Sequence, residues 1–114
     1  MLEQRKLKRR QLIYYLKVMN RINGKPLGRL VDITTEGMML VSSDSIELEV
    51  IYKCRLDLPS PLSGRREINF DARALWRNND VNPDFLDTGF RFEVITPEEA
   101  RLISDLIDEY ELPD

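Results

Sequence analysis

The sequence predicts an all-β fold: a six-stranded antiparallel β-barrel with one C-terminal α-helix packed on it. Three observations lead there. Six short runs of apolar or alternating residues are separated by turn-forming clusters at regular intervals, an Asn-Gly pair at 23 and 24 gives a strong hairpin signal, and helical periodicity is confined to residues 96–112. A closed barrel removes the unpaired edges that so many short strands would otherwise expose. The 114 residues suit one domain, and 42% apolar with 32% charged residues is the balance of a chain that folds.

Taken in order, residues 1–12 form a basic arm, 13–95 the barrel and 96–112 the helix. The first strand lies in "LIYYLKVMNRI", rich in β-branched and aromatic residues, and "LGRLVDIT" answers it across Asn23 and Gly24. "MMLVSS" follows the "TEG" turn, with Met38 and Met39 as ordinary core and surface packing. In "EVIYKCRLDL", Tyr52, Cys54, Leu56 and Leu58 alternate with polar neighbours, as on a half-buried strand. "PSPLSGRRE" reads as a turn-rich loop. In "INFDARALW", Ile68, Phe70, Ala72, Ala74 and Trp76 fall on one face; "RNNDVNPD" interrupts the pattern and "TGFRFEVI" resumes it. The helix opens with Thr96 as N-cap, Pro97 at its first position and Glu99 where a capping box requires it. Leu102, Ile103, Leu106, Ile107 and Tyr110 then form one apolar stripe, expected to face the barrel.

Charge is distributed unevenly. The net charge is -3, yet "RKLKRR" places Arg5, Lys6, Lys8, Arg9 and Arg10 at the head against the one acid Glu3, leaving twelve basic and nineteen acidic groups in the remainder. Opposed blocks of this kind mark a basic arm for an anion, although such runs taken alone are more often solvated tails. The single Cys54 forms no internal disulfide, and the absence of histidine removes His-based catalysis and argues against structural zinc. "LIYYL" imitates a secretory core but Lys17 cuts it short, and no stretch is long enough to span a bilayer, so a cytoplasmic location without membrane insertion is expected.

Two segments should converge. If the first hairpin turns at Asn23 and Gly24, residues whose numbers sum to 47 lie opposite one another, pairing Thr34 with Ile13 and Gly37 with Arg10. "DITTEG" at 32–37 then returns beside the basic head. Arginine's planar fork suits phosphate oxygens and the O6/N7 edge of guanine, while an aspartate accepts from guanine's ring and amino N–H groups. The matching ligand is a guanine nucleotide carrying phosphate. Read singly, Arg5 and Arg9 are a solvated arm, Asp32 a turn-former and Gly37 a residue of positive φ; their co-occurrence at hairpin spacing favours the site.

The "RxxxR" of Arg5 and Arg9 and the "DxTxxG" of 32–37, separated by one hairpin, resemble the signature of the PilZ domain family. "ARALWR" and "TGFRF" are similar to that family's late strands, and "TPEEARLISDLI" to its closing helix. The resemblance covers nearly the whole chain. It implies a six-stranded PilZ-like barrel with a terminal helix that binds the bacterial second messenger cyclic di-GMP. It further implies that Arg5 and Arg9 grip the ligand's phosphates and guanines, Asp32 binds the guanine's polar edge, Thr34 acts through its hydroxyl and Gly37 leaves room at the turn. Arg10 and Trp76 are secondary candidates, Trp76 lying between a core reading and a stacking one. The chain departs from the pattern at Thr34, where serine is usual but the hydroxyl is kept, and at Gln4, where an arginine would favour a second stacked nucleotide; a single ligand is expected.

No catalytic constellation is legible. Asp44, Glu47, Asp84 and Asp87 read as solvent-facing loop charges without nucleophile, base or metal partner. The expected function is therefore a receptor, not an enzyme, with no cofactor besides its ligand. Its arm would order on binding and signal to a downstream protein partner of unknown identity. Two alternatives remain open at this point: a nucleic-acid-binding barrel, and an adaptor of the same fold without ligand. An acidic remainder and the lack of clustered exposed aromatics argue against DNA or RNA.

Overall fold

Alternation of inward apolar and outward polar residues carries the chain through six strands within residues 16–110, the part that the computed structural model describes. They are β1 (Lys17–Asn20), β2 (Pro26–Ile33), β3 (Gly37–Ser42), β4 (Ile51–Leu62), β5 (Arg65–Asn79) and β6 (Leu86–Val94), all paired antiparallel in a closed barrel of order β1-β2-β3-β6-β5-β4. Val18, Leu30, Ile33, Leu40, Leu56 and Ile68 are fully buried in its interior. On β4 and β5 the predicted alternation holds, with Cys54, Leu56, Ile68, Phe70, Ala72 and Ala74 all inside. Burial pushes the Cys54 thiol up to about 12, so it is an inert core group.

The helix, α1 (Pro97–Tyr110), buries Leu102, Ile103, Leu106 and Tyr110 against β4 and β5. Thr96 caps it as expected: its Oγ1 accepts from Glu99 N at 3.1 Å. The reciprocal half of the capping box does not form. The Glu99 carboxylate instead accepts from Asn69 N at 2.9 Å and pairs with Arg65 at 3.1 Å, tying the helix to β5. A second tie joins Ser60 and Tyr110 through their hydroxyls at 2.9 Å. No helix among the described residues is long and apolar enough to cross a membrane.

Three further expectations change. The first hairpin turns over residues 21–24, closed by bonds from Gly24 N to Asn20 O and from Asn20 N to Lys25 O. Its register sums to 46 at Lys17↔Arg29 and Val18↔Gly28, one less than expected, with an irregularity between Val18 and Met19. Asn23 and Gly24 therefore belong to a longer loop than a two-residue turn, Gly24 at φ 73°. The stretch "PSPLSGRRE" is also not a loop. β4 runs to Leu62 and β5 starts at Arg65, turning at Ser63 and Gly64, both of positive φ. Because Pro59 and Pro61 donate no N–H, the ladder lapses between Asp57 and Leu62, which is why the composition imitates a loop. Finally, Asp87 lies within β6, half-buried, not in a solvated loop.

Candidate functional site

Strict alternation would place Asp32 on the same face as Leu30, inside the barrel. A β-bulge prevents this. Leu30 pairs with Leu40 but Asp32 pairs with Met39, so Val31 is an extra residue on β2. Leu30 and Ile33 can then both point inward, and Asp32 is turned out. A second bulge does the same on β5, where Ala74 pairs with Phe90 and Trp76 with Gly89, leaving Leu75 extra. Trp76, grouped by period with Ala72 and Ala74, is instead 43% exposed.

These bulges lie across one face of the barrel. Asp32 faces Met39, Met39 faces Gly89 and Gly89 faces Trp76, a single row over β2, β3, β6 and β5. Three strand spacings separate its ends by about 14 Å. The indole lies over Gly89, where an added Cβ would collide with its ring atoms. Together these residues line a cleft of about 340 Å³, which also takes in Thr34, Glu36, Gly37 and Arg91. That volume falls in the range of small-molecule sites.

The turn at the head of β3 is held from within. Thr34 N donates to Gly37 O at 2.8 Å, and Thr34 Oγ1 accepts from Glu36 N at 3.1 Å and Gly37 N at 3.3 Å. The hydroxyl is thus occupied as an acceptor and keeps its proton for donation. Phe92 N donates to Glu36 O at 2.9 Å, fastening the turn to β6. Gly37 is required here for space and not for positive φ: a Cβ would overlap the carbonyl of Phe90.

Of the candidates named from sequence, Asp32, Thr34, Gly37 and Trp76 therefore share one cleft. Arg5, Arg9 and Arg10 lie outside the described residues. Arg91 was missed, because its neighbour Gly37 comes from β3, distant in sequence. Met39 and Gly89, the floor of the cleft, were missed for the same reason.

In the next outward row, where Asp87 faces Val41 and Asn78, burial and the nearby Asp80 carboxylate push the Asp87 carboxyl above the usual range. With its folded value raised, Asp87 supports the fold while protonated, below about pH 3.9, and this contribution is lost as pH rises through the folded value. Asp87→Asn should therefore raise the thermal midpoint at neutral pH, and the difference from wild type should vanish in acid. A variant less stable than wild type at pH ~7 would contradict the assignment.

A family model described as PilZ domain matches residues 3–109. Solved structures of similar fold include the Bacillus subtilis inhibitor of motility MotI/DgrA, with TM-score 0.64 and 16% identity over 79% of this chain and 43% of that one. Another is MrkH of K. pneumonia in its apo state, with TM-score 0.69 and 14% identity over 90% and 49%. A third is the PilZ domain of Escherichia coli YcgR with c-di-GMP, with TM-score 0.61 and 16% identity over 84% and 80%. The chain spans about half the length of the first two structures. No curated protein sequence matches it.

Proposed function

The chain belongs to the PilZ domain family, and from that premise we propose that it is a cyclic di-GMP receptor domain and not an enzyme. The observation that carries this reading is the row from Asp32 to Trp76, which puts a carboxylate for guanine N–H groups and an exposed indole for stacking on one cleft beside the DxTxxG turn. Asp32 accepts from the guanine edge, the Thr34 hydroxyl donates to the nucleotide, and Gly37 keeps the turn close to β6. Trp76 supplies a face for a base. Arg5 and Arg9, with Arg10 in support, meet the phosphates from the arm. Binding orders that arm against the barrel, and the new surface engages a downstream protein partner. The YcgR domain, of the same fold, is described with c-di-GMP, which supports the choice of ligand.

Calorimetric titration of the full chain with cyclic di-GMP, against GTP and cyclic di-AMP, tests the assignment. Specific binding of cyclic di-GMP is expected; equal binding of all three would refute it. Arg9→Ala should weaken cyclic di-GMP binding at least about tenfold, since a charge-assisted hydrogen bond is worth roughly 1.5–3 kcal/mol. Lys6→Ala should lose less. An equal or larger loss for Lys6→Ala would mean that the arm's register is misassigned.

A further inference from the structure

Arg91 is the described cation best placed to act inside the cleft, and the sequence motifs assign it nothing. It stands opposite Gly37 on β3 and opposite Arg73 on β5, so the outward row Gly37, Arg91, Arg73 runs directly beside the row that holds Asp32 and Trp76. Having no side chain, Gly37 leaves the guanidinium uncovered on the β3 side. The Arg91 side chain is 57% exposed and lines the cleft.

Its present partner is Glu93. Arg91 Nη2 and Nε donate to Glu93 Oε2 at 2.8 and 3.2 Å, which leaves both N–H groups of Nη1 and one of Nη2 for another acceptor. Glu93 does not depend on Arg91 alone, because Arg73 Nε donates to the same oxygen at 3.2 Å. These two cations hold the Glu93 carboxyl below the usual carboxylate range, with Arg91 the stronger influence. If Arg91 turns toward an anion, the half-buried Glu93 keeps Arg73 and is not left uncompensated. An exposed pair of this kind contributes little to stability.

We propose that Arg91 is a third ligand-binding arginine, which leaves its shared contact with Glu93 to grip a phosphate or the O6/N7 edge of a guanine from the barrel side of the cleft. This rests on the cyclic di-GMP reading and adds to it a specificity contact independent of the arm. Glu93 competes with the ligand for the same guanidinium.

The test compares the full chain with Arg91→Ala, Arg91→Lys and Glu93→Gln by calorimetry with cyclic di-GMP, alongside thermal unfolding. Arg91→Ala should bind about tenfold more weakly with its midpoint nearly unchanged. Arg91→Lys should recover only part of the loss, because an ammonium lacks the planar fork. Glu93→Gln, which removes the competitor, should bind as tightly as wild type or tighter, the opposite sign from Arg91→Ala. If wild type binds and Arg91→Ala binds equally well, the inference falls while the receptor reading stands; if wild type does not bind, both fall. Weakened binding in Glu93→Gln equal to that in Arg91→Ala would reduce the pair to a structural tie and also overturn the inference.

Discussion

Replacing Gly37 by alanine is expected to loosen the barrel and to remove ligand binding together. The added Cβ meets a backbone carbonyl, that of Phe90, with the Arg91 backbone close behind. Backbone cannot move aside as a flexible side chain does, so β3 must part from β6 at the Gly37↔Arg91 pair. Overpacking of this kind costs about 1–3 kcal/mol, and each kcal/mol lowers the midpoint of a domain this size by roughly 3–6 °C. The same displacement breaks the bond from Phe92 N to Glu36 O and opens the turn that Thr34 Oγ1 holds. Asp32 and Arg91 then lose their common orientation. Thermal unfolding and calorimetry on one preparation check this; a midpoint within a degree or so of wild type would show that the strands accommodate the methyl group.

Asp32→Asn should leave the fold standing and weaken cyclic di-GMP binding by roughly ten- to a hundredfold. The side chain sits outside the core, turned out by the Val31 bulge, and the amide has nearly the same shape. On the proposed reading, the loss of binding comes from the changed ligand contact. A carboxylate accepts from two guanine N–H groups, whereas an amide offers one acceptor and sets a donor against a donor. A loss smaller than about threefold would take Asp32 out of the site.

Much of this arrangement was legible in the sequence, for reasons that particular residues make plain. The six strands and the closing helix follow from alternation in stretches such as "INFDARALW" and from the Thr96-Pro97 start. Asp32, Thr34 and Gly37 are neighbours along the chain, so their motif could be seen directly. The bulges at Val31 and Leu75 could not, because an extra residue leaves no mark on an alternating pattern until the partner strand is known. Trp76 was for that reason grouped with the core. Arg91 joins the turn only through β3 and β6 pairing, a contact between strands far apart in sequence. Glu99 satisfied the spacing of a capping box, yet Arg65 and the Asn69 N–H offered its carboxylate a better-placed set of partners. Asp87 looked like loop charge because the Asn- and Asp-rich turn runs straight into β6.

The central claim is that one compact ligand is clasped between the basic arm and the outward row that ends at Trp76. As the chain has a single tryptophan, its fluorescence reports on that cleft alone. Titrating the full chain with cyclic di-GMP should produce a saturable change in Trp76 emission that GTP and cyclic di-AMP fail to reproduce at equal concentration, and that Arg9→Ala shifts to higher ligand concentration. An emission unchanged while calorimetry detects binding, or one that responds alike to all three nucleotides, would contradict the account.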